Sequence, residues 1–203
     1  MTHADVMTHP GLLIVTDLLG AVPGAWPADG KSIVDVFAEV VARAPGAPLL
    51  LGGEHCTPAM LDARANQYAH QLRSAGARQG NPVGVLLDGS PARLAAVVLG
   101  VWKTGAAYVP LDPAAPPGAT TELFATAGAG LAVTEMALAA RCPVPALLVD
   151  KHALMVAAGP AHGAPGGPAP HETACLLCTP HRPEAVAVSH EDLLYQLTKE
   201  RQG

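Results

Sequence analysis

Residues 83–113 read VGVLLDGSPARLAAVVLGVWKTGAAYVPLDP and carry the clearest structural signal in the chain. The stretch begins with a short continuous apolar run, Val83–Leu87, of the kind found in buried parallel strands. Ser90 and Pro91 then supply a helix cap and a proline at the first helical position, and an apolar helix follows. A second apolar run, Ala107–Val109, comes after the helix. This order predicts a parallel β-α-β unit with a right-handed crossover.

The alternation of strands and helices continues on both sides of this unit. Apolar residues at helical spacing predict a helix between Ser32 and Pro45 and another between Thr57 and Gly76, with a Gly-Gly hairpin at 49–56 between them. Further helices are predicted near 122–127, 135–140 and 190–199, and further strands at Leu131–Val133, Leu147–Val149, Cys175–Cys178 and Ala185–Val188. We therefore predict an α/β fold, a Rossmann-like and mainly parallel sheet with flanking helices.

Two segments differ in composition from the rest of the chain. Residues 1–31 are rich in Pro and Gly and predict a linker-like lead-in, and its Met-Thr-His opening repeats, so the true start is either Met1 or Met7. Residues 157–170 contain mainly Ala, Gly and Pro, which cannot bury enough apolar surface to offset the cost of ordering them. We predict a mobile low-complexity loop there, within one folded unit at 32–203.

The composition excludes several classes of protein. The 203 residues carry 12 Lys and Arg against 17 Asp and Glu, a net charge of −5 that argues against a nucleic-acid partner. No apolar run approaches the length of a membrane span, and the N-terminus lacks the basic and apolar regions of a signal peptide. Four cysteines in a chain of this length do not form the framework of a small secreted domain. We therefore expect reduced thiols and a cytoplasmic protein.

Three stretches together resemble one protein family. Residues 57–69 (TPAMLDARANQYA) are similar to its first core motif, with Pro58 in place of the usual aromatic residue, and residues 101–113 (VWKTGAAYVPLDP) closely match its second. Residues 174–190 (ACLLCTPHRPEAVAVSH) match the flanks of its phosphate-binding motif. The family is that of the adenylation domains of nonribosomal peptide synthetases, within the superfamily of acyl-CoA ligases and luciferases. The resemblance implies the fold of the N-terminal subdomain of adenylate-forming enzymes, and a partial AMP-binding domain over 32–203.

The centre of the phosphate-binding motif departs from the family pattern. In the family, a Gly-rich loop followed by Pro-Lys-Gly holds the ATP phosphates through backbone amides and hydroxyls. Here residues 179–185 (TPHRPEA) contain no glycine and carry two prolines that cannot donate an amide, and a glutamate replaces the family lysine. The remnant of the site consists of Thr179, His181, Arg182 and Glu184. We expect no catalytic residue and no bound cofactor, although the resemblance implies ATP and Mg for intact family members.

Two functions from different classes follow from the resemblance. The chain stops soon after this motif, whereas the family continues well beyond it with the amino-acid pocket and a catalytic lysine. We therefore expect a truncated pseudoenzyme of secondary metabolism, which would act as a non-catalytic partner of a synthetase subunit. The alternative is the N-terminal piece of an amino-acid-activating, AMP-forming ligase that is completed in trans or by a downstream reading frame. A third possibility is a decaying gene product with no activity.

Truncation also predicts self-association or binding to a synthetase. The helices predicted at 91–103 and 190–199 would lose the subdomain that covers them, which would leave an apolar face exposed. The residues expected on this face are Val97, Val98, Val101, Leu193, Leu194 and Leu197.

The spacing of His171, Cys175, Cys178 and His181 suggests a zinc site. If 174–178 is a strand, however, residues three apart point to opposite faces of the sheet, so the two cysteines cannot converge on one ion. We therefore predict no metal and interpret both cysteines as small core residues.

Three other patterns also favour structural roles. Ser189 and His190 suggest a nucleophile and its base, but adjacent residues rarely face each other and the chain has no Gly-x-Ser-x-Gly elbow. Asp112 is interpreted as a turn-stabilising residue. Trp102 and Tyr108 are interpreted as packing anchors rather than as residues that stack on a ligand.

Overall fold

The computed structural model of the chain describes residues 30–163, 167–178 and 184–200. All but the last two residues of the predicted lead-in therefore lie outside the described residues. The described part has a six-stranded sheet, a separate two-stranded hairpin, and helices on both faces of the larger sheet. This confirms the predicted α/β fold with a mainly parallel sheet.

The described elements follow the predicted alternation along the chain. The strands are β1 (Leu49–Leu51), β2 (Glu54–Cys56), β3 (Pro82–Leu86), β4 (Ala107–Pro110), β5 (Leu131–Thr134), β6 (Ala146–Leu148), β7 (Thr173–Leu177) and β8 (Val186–Ser189). The α-helices are α1 (Ile33–Arg43), α2 (Pro58–Ser74), α3 (Pro91–Lys103), α4 (Pro117–Ala127), α5 (Ala153–Ala158) and α6 (His190–Glu200). A 3₁₀ helix spans Met136–Arg141.

The strand order in the large sheet is β6-β5-β3-β4-β7-β8. Strands β3 and β4, which the opening stretch of sequence predicts, form the centre of this sheet and pair in parallel with α3 between them. The pairs β3–β5, β5–β6 and β4–β7 are also parallel, and β8 runs antiparallel to β7 at one edge. The hairpin β1–β2 pairs antiparallel around Gly52 and Gly53, which both have positive φ.

The first three helices begin at side-chain caps that are legible in the sequence. The Ser32 hydroxyl accepts a hydrogen bond from the Asp35 amide, and the Asp35 carboxylate accepts one from the Ser32 amide, which completes a capping box at α1. Thr57 caps α2 and Ser90 caps α3 with one bond each, since their hydroxyls accept from the amides of Met60 and Arg93, and a proline follows at the first helical position of both helices. The predicted starts of these helices are therefore confirmed.

Two apolar clusters lie on the two faces of the sheet. On one face, α1, α2, α3 and α6 cover strand residues that include Val85 and Tyr108. On the other face, α4 packs Phe124 against Leu86 and Val109. Adjacent strand residues such as Tyr108 and Val109 thus enter different clusters, as the alternation of side chains along a strand requires. Helix α3 therefore leaves β3 toward one face, and α4 leaves β4 toward the other.

The apolar faces predicted to be uncovered are buried within the chain, so that prediction was wrong. Helix α3 packs against α2 on one side and the sheet on the other, and α6 packs against β7, β8 and α1. The five described side chains are at most 1% exposed: Val97, Val98, Val101, Leu193 and Leu194. The Leu197 side chain lies outside the described residues. The large apolar residues that are exposed are Leu50, Met60, Met136, Leu154, Val186 and Tyr195.

Other differences from the predictions lie in short elements. Helix α5 was missed, and its last two residues fall inside the loop predicted at 157–170. The side-chain amides of Asn66 and Gln67 donate to the carbonyls of Ala161 and Ala157, both at 3.0 Å, and tie this segment to α2. The helix predicted near 135–140 is a 3₁₀ helix. Within the described ranges, no helix is both long enough and apolar enough to cross a membrane.

The close crossing of α2 and α3 depends on Gly100. A Cβ atom at this position would lie 2.8 Å from the Tyr68 Cβ and 3.1 Å from the Ala65 carbonyl oxygen. Neither neighbour is the flexible end of a side chain, so the helices would have to separate. The small residue is therefore required by the approach of the two helices.

We predict that Gly100→Ala destabilises the chain although alanine favours a helix. Overpacking at the crossing costs about 1–3 kcal/mol, whereas alanine returns roughly 1 kcal/mol of helix propensity. The matched control is Gly118→Ala in α4, where a Cβ would meet nothing within 4 Å. The measurement is urea denaturation of both variants. If Gly100→Ala unfolds at the same urea concentration as Gly118→Ala, the crossing is not tight.

Candidate functional site

The carboxyl ends of β3, β4 and β7 lie side by side at one edge of the sheet. Strands β4 and β7 pair in parallel, with Tyr108 opposite Cys175. Because α3 and α4 leave β3 and β4 toward opposite faces, these two strand ends form the topological switch point, the usual ligand position in open α/β sheets. In the sequence, the predicted phosphate-loop remnant follows β7.

The described part of that remnant is limited to its end. Thr179, His181 and Arg182 lie outside the described residues. Glu184 is described and is exposed to solvent just before β8. It therefore places a solvated negative charge at the end of the segment that connects β7 and β8.

The loop that follows β4 is held by local contacts and by one arginine. The Asp112 carboxylate accepts a hydrogen bond from the Ala114 amide at 2.7 Å, which confirms its turn-stabilising role. Arg141, at the end of the 3₁₀ helix, donates to the carbonyls of Pro113 and Ala115 and to the Thr120 hydroxyl. Sequence reasoning missed Arg141, because its contacts come from residues more than 20 positions away.

Ser189 and His190 lie in different environments and do not form a catalytic pair. The Ser189 hydroxyl donates to the Asp192 carboxylate at 2.7 Å and accepts from the Asp192 amide at 3.1 Å, so Ser189 caps α6. The His190 ring is fully buried, and neither ring nitrogen has a hydrogen-bond partner among the described residues. Burial lowers the pKa of His190 to about 4, against the opposing influence of the Asp35 carboxylate.

Trp102 connects the end of α3 to β7. Its indole nitrogen donates to the Ala174 carbonyl at 2.7 Å within the core. Its ring meets the His190 ring edge-on, with centroids 5.5 Å apart and an interplanar angle of 72°. Tyr108 is also buried, and burial raises the pKa of its phenol. Both aromatic residues are thus confirmed as packing anchors.

The two cysteines of the suggested zinc pattern face opposite sides of the sheet, as predicted. Cys175 is buried in the cluster beneath α3, and Cys178 packs against the cluster beneath α4. Burial raises the pKa of both thiols, which disfavours the thiolate form that binds zinc. His171 is exposed, and His181 lies outside the described residues.

A cleft of about 570 Å³ lies between the β1–β2 hairpin, α2, α3 and the start of α5. Sequence reasoning missed it, because its walls come from four separate elements. Its polar residues are already partnered in part, since Glu54 accepts from the Ser90 hydroxyl and Arg93 pairs with Glu135, both at 2.9 Å. The cleft therefore combines charges of both signs, and its described lining brings no reactive pair of side chains together.

Comparison with protein families and curated proteins gives a consistent result. The model of a family described as AMP-binding enzyme matches residues 37–198. The chain is 40% identical over 114 residues to N-(5-amino-5-carboxypentanoyl)-L-cysteinyl-D-valine synthase from Streptomyces clavuligerus, which covers 55% of the chain and 14% of that protein. It is 39% identical over 157 residues to pyochelin synthetase PchE from Pseudomonas aeruginosa (strain UCBPP-PA14), which covers 73% of the chain and 10% of that protein. The chain thus spans a small part of each relative.

Solved structures share the fold. A nonribosomal peptide synthetase in a form bound to α-methyl-L-serine-AMP superposes with a TM-score of 0.75 and 24% identity, over 95% of the chain and 22% of that structure. An artificially fused adenylation–PCP didomain from Klebsiella oxytoca superposes with a TM-score of 0.70 and 22% identity, over 79% of the chain and 30% of that structure. These likenesses concern the fold alone.

We predict that His190 makes the stability of the chain sensitive to acid. In the folded state the ring stays neutral until about pH 4, whereas in the unfolded chain it binds a proton near its ordinary pKa of about 6.5. The stabilising effect of the neutral ring is therefore fully present above pH 6.5. Below that pH, the free energy of unfolding falls by about 3 kcal/mol toward pH 4. His190→Phe should remove this part of the pH dependence.

The measurement is urea denaturation at pH 7.0, 5.5 and 4.0. His171→Gln, at an exposed histidine, is the matched control and should keep the acid sensitivity of the original chain. If the free energy of unfolding falls equally with pH in His190→Phe and in the original chain, the ring is not held neutral in the core.

We also predict that zinc does not purify with the chain in a stoichiometric amount. A chelator should leave the thermal unfolding curve unchanged, because the two cysteines lie on opposite faces of the sheet. One equivalent of zinc that disappears on mutation of Cys175 and Cys178 would contradict this geometry.

Proposed function

The chain belongs to the AMP-binding enzyme family, and we propose that it is an adenylation-domain homologue that does not bind ATP or activate an amino acid by itself. Its role is then that of a non-catalytic partner of a nonribosomal peptide synthetase. The observation that carries the proposal is the exposed carboxylate of Glu184, at the position where the resembled motif has a lysine.

The charge and donor set of this segment support the loss of ATP binding. A carboxylate repels a polyphosphate, and the prolines at 180 and 183 have no N–H to donate to it. Loss of three or four charge-assisted hydrogen bonds, each of about 1.5–3 kcal/mol, weakens binding by several orders of magnitude. His181 and Arg182 restore only part of this.

The role as a partner is supported by the relatives. The curated proteins that the chain resembles are large synthases and synthetases, and the chain spans 14% and 10% of two of them. Two other relatives are named as separate subunits of plipastatin synthase from Bacillus subtilis (strain 168). We also propose a cytoplasmic location, because all four cysteines are free thiols.

The alternative function is that of one part of an amino-acid-activating ligase. The observation that favours it is the intact second core motif, which forms β4 at the centre of the sheet. A second polypeptide, or a downstream reading frame, would then supply the substrate pocket. Co-expression with the neighbouring frame distinguishes the two, because only the alternative predicts amino-acid-dependent pyrophosphate exchange in the joint preparation.

We predict that the purified chain neither binds ATP–Mg with micromolar affinity nor catalyses amino-acid-dependent pyrophosphate exchange. The measurements are titration calorimetry and an isotope-exchange assay with the full set of amino acids. Glu184→Gln removes the repelling charge and keeps the size of the side chain. It should still not bind, since the missing amide donors are not restored.

The positive control is an intact adenylation domain assayed under the same conditions. Micromolar affinity of the original chain for ATP–Mg would overturn the proposed function. Micromolar affinity of Glu184→Gln alone would mean that one charge, rather than the loss of the loop, abolishes binding.

A further inference from the structure

A second cavity lies at the opposite edge of the sheet from the switch point between β3 and β4. It has a volume of about 410 Å³ and is formed by the C-terminal ends of α2 and α3 and by the segment that leads into β3. The residues of its wall that matter for the argument are His70, Arg73, Arg78 and Gln79. Among the described residues that line it, none is acidic.

Both arginines in this recess are held in place by backbone carbonyls. Arg73 donates through Nη2 to the carbonyl of Lys103, at the end of the neighbouring helix. Arg78 donates through Nη1 to the carbonyls of Arg73 and Ala77, at 2.7 and 2.8 Å. Each guanidinium carries five N–H donors, so these contacts leave several donors of each group available.

The charges of the two arginines are not neutralised by a carboxylate of the described part of the chain. Of the ion pairs formed among the described residues, none includes Arg73 or Arg78. The carboxylate of Glu172 accepts hydrogen bonds from the side-chain amide of Gln79, in the wall of the recess, and from the Ala169 amide, and it forms no ion pair with either arginine. Burial and the positive charge of Arg78 both lower the pKa of Arg73, which shows that the two cations act on each other.

Helix capping accounts for only part of this charge. The C-terminal end of a helix carries about −0.5 of an elementary charge, so the ends of α2 and α3 together offset roughly one of the two positive charges. The last carbonyls of α2 are in addition used by backbone amides, such as the Ala77 amide on Leu72. The helix ends by themselves leave about one positive charge on the recess, and the nearest carboxylate that the hydrogen bonds place beside it is that of Glu172, on Gln79.

We propose that this recess binds a small phosphate-type anion between Arg73 and Arg78. Two guanidiniums fixed by carbonyls present planar N–H groups that match phosphate oxygens, and little side-chain freedom is lost on binding. His70 also lines the recess, and its Nε2 has no hydrogen-bond partner among the described residues. The ligand is a free phosphate or the phosphate group of a monoester.

The test is titration calorimetry of the whole chain in magnesium-free buffer of low ionic strength, with inorganic phosphate in one arm and glycerol 1-phosphate in the other. We expect saturable binding with a Kd below about 1 mM, at a stoichiometry of one. If both ligands bind, the site recognises the phosphate group itself. If only glycerol 1-phosphate binds, the site recognises a phosphomonoester.

Arg78→Gln should weaken binding about tenfold or more, because it removes one guanidinium. Arg78→Lys keeps the charge and should lose a smaller part of the affinity, since the planar fork is gone. The matched control is Arg43→Gln on α1, whose guanidinium pairs with Glu39 at 3.3 Å outside the recess, and this variant should bind within about twofold of the original chain.

The proposal is overturned if neither probe binds saturably with a Kd below about 1 mM. It is also overturned if Arg43→Gln weakens binding as much as Arg78→Gln does, because the attraction would then be diffuse. The proposal does not depend on the ATP prediction, since its ligand is a single phosphate group and its residues lie at the other edge of the sheet.

Discussion

Helix α3 has no polar face along its central turns, and so it must be covered on every side. Residues 95–102 are all buried, which is unusual for a helix next to an open sheet. The sheet covers one side of α3 and α2 covers the other, and Gly100 allows the two helices to approach closely. Trp102 then joins the end of α3 to β7 through the Ala174 carbonyl. One buried helix thus contacts the central strands, α2 and β7.

Features that depend on neighbours in sequence could be predicted, whereas features that depend on distant contacts could not. The caps at Ser32, Thr57 and Ser90 fix helix starts locally, and these predictions are confirmed. Whether an apolar helix face is covered depends on elements far away in the chain, which the local pattern does not reveal. The prediction that Val97 and Leu193 are exposed is wrong for this reason. Arg141 was missed for the same reason.

The two edges of the sheet differ in chemistry. The carboxyl edge carries the switch point where ligands bind in open α/β sheets, and the exposed Glu184 lies just before β8 at this edge. The amino edge carries two arginines without a carboxylate partner among the described residues. The two edges of the same sheet thus carry side chains of opposite charge, a carboxylate at one edge and two guanidiniums at the other.

Hydrogen exchange of the backbone amides tests most directly whether α3 organises the fold. Amides that open only on global unfolding exchange slowest and share one free energy, while locally opening segments exchange faster. The central role of α3 predicts that its amides belong to the slowest group together with those of β3 and β4, and that α5 exchanges faster. If α3 exchanges as fast as α5 while the strands stay protected, the sheet is stable without this helix and the account is wrong.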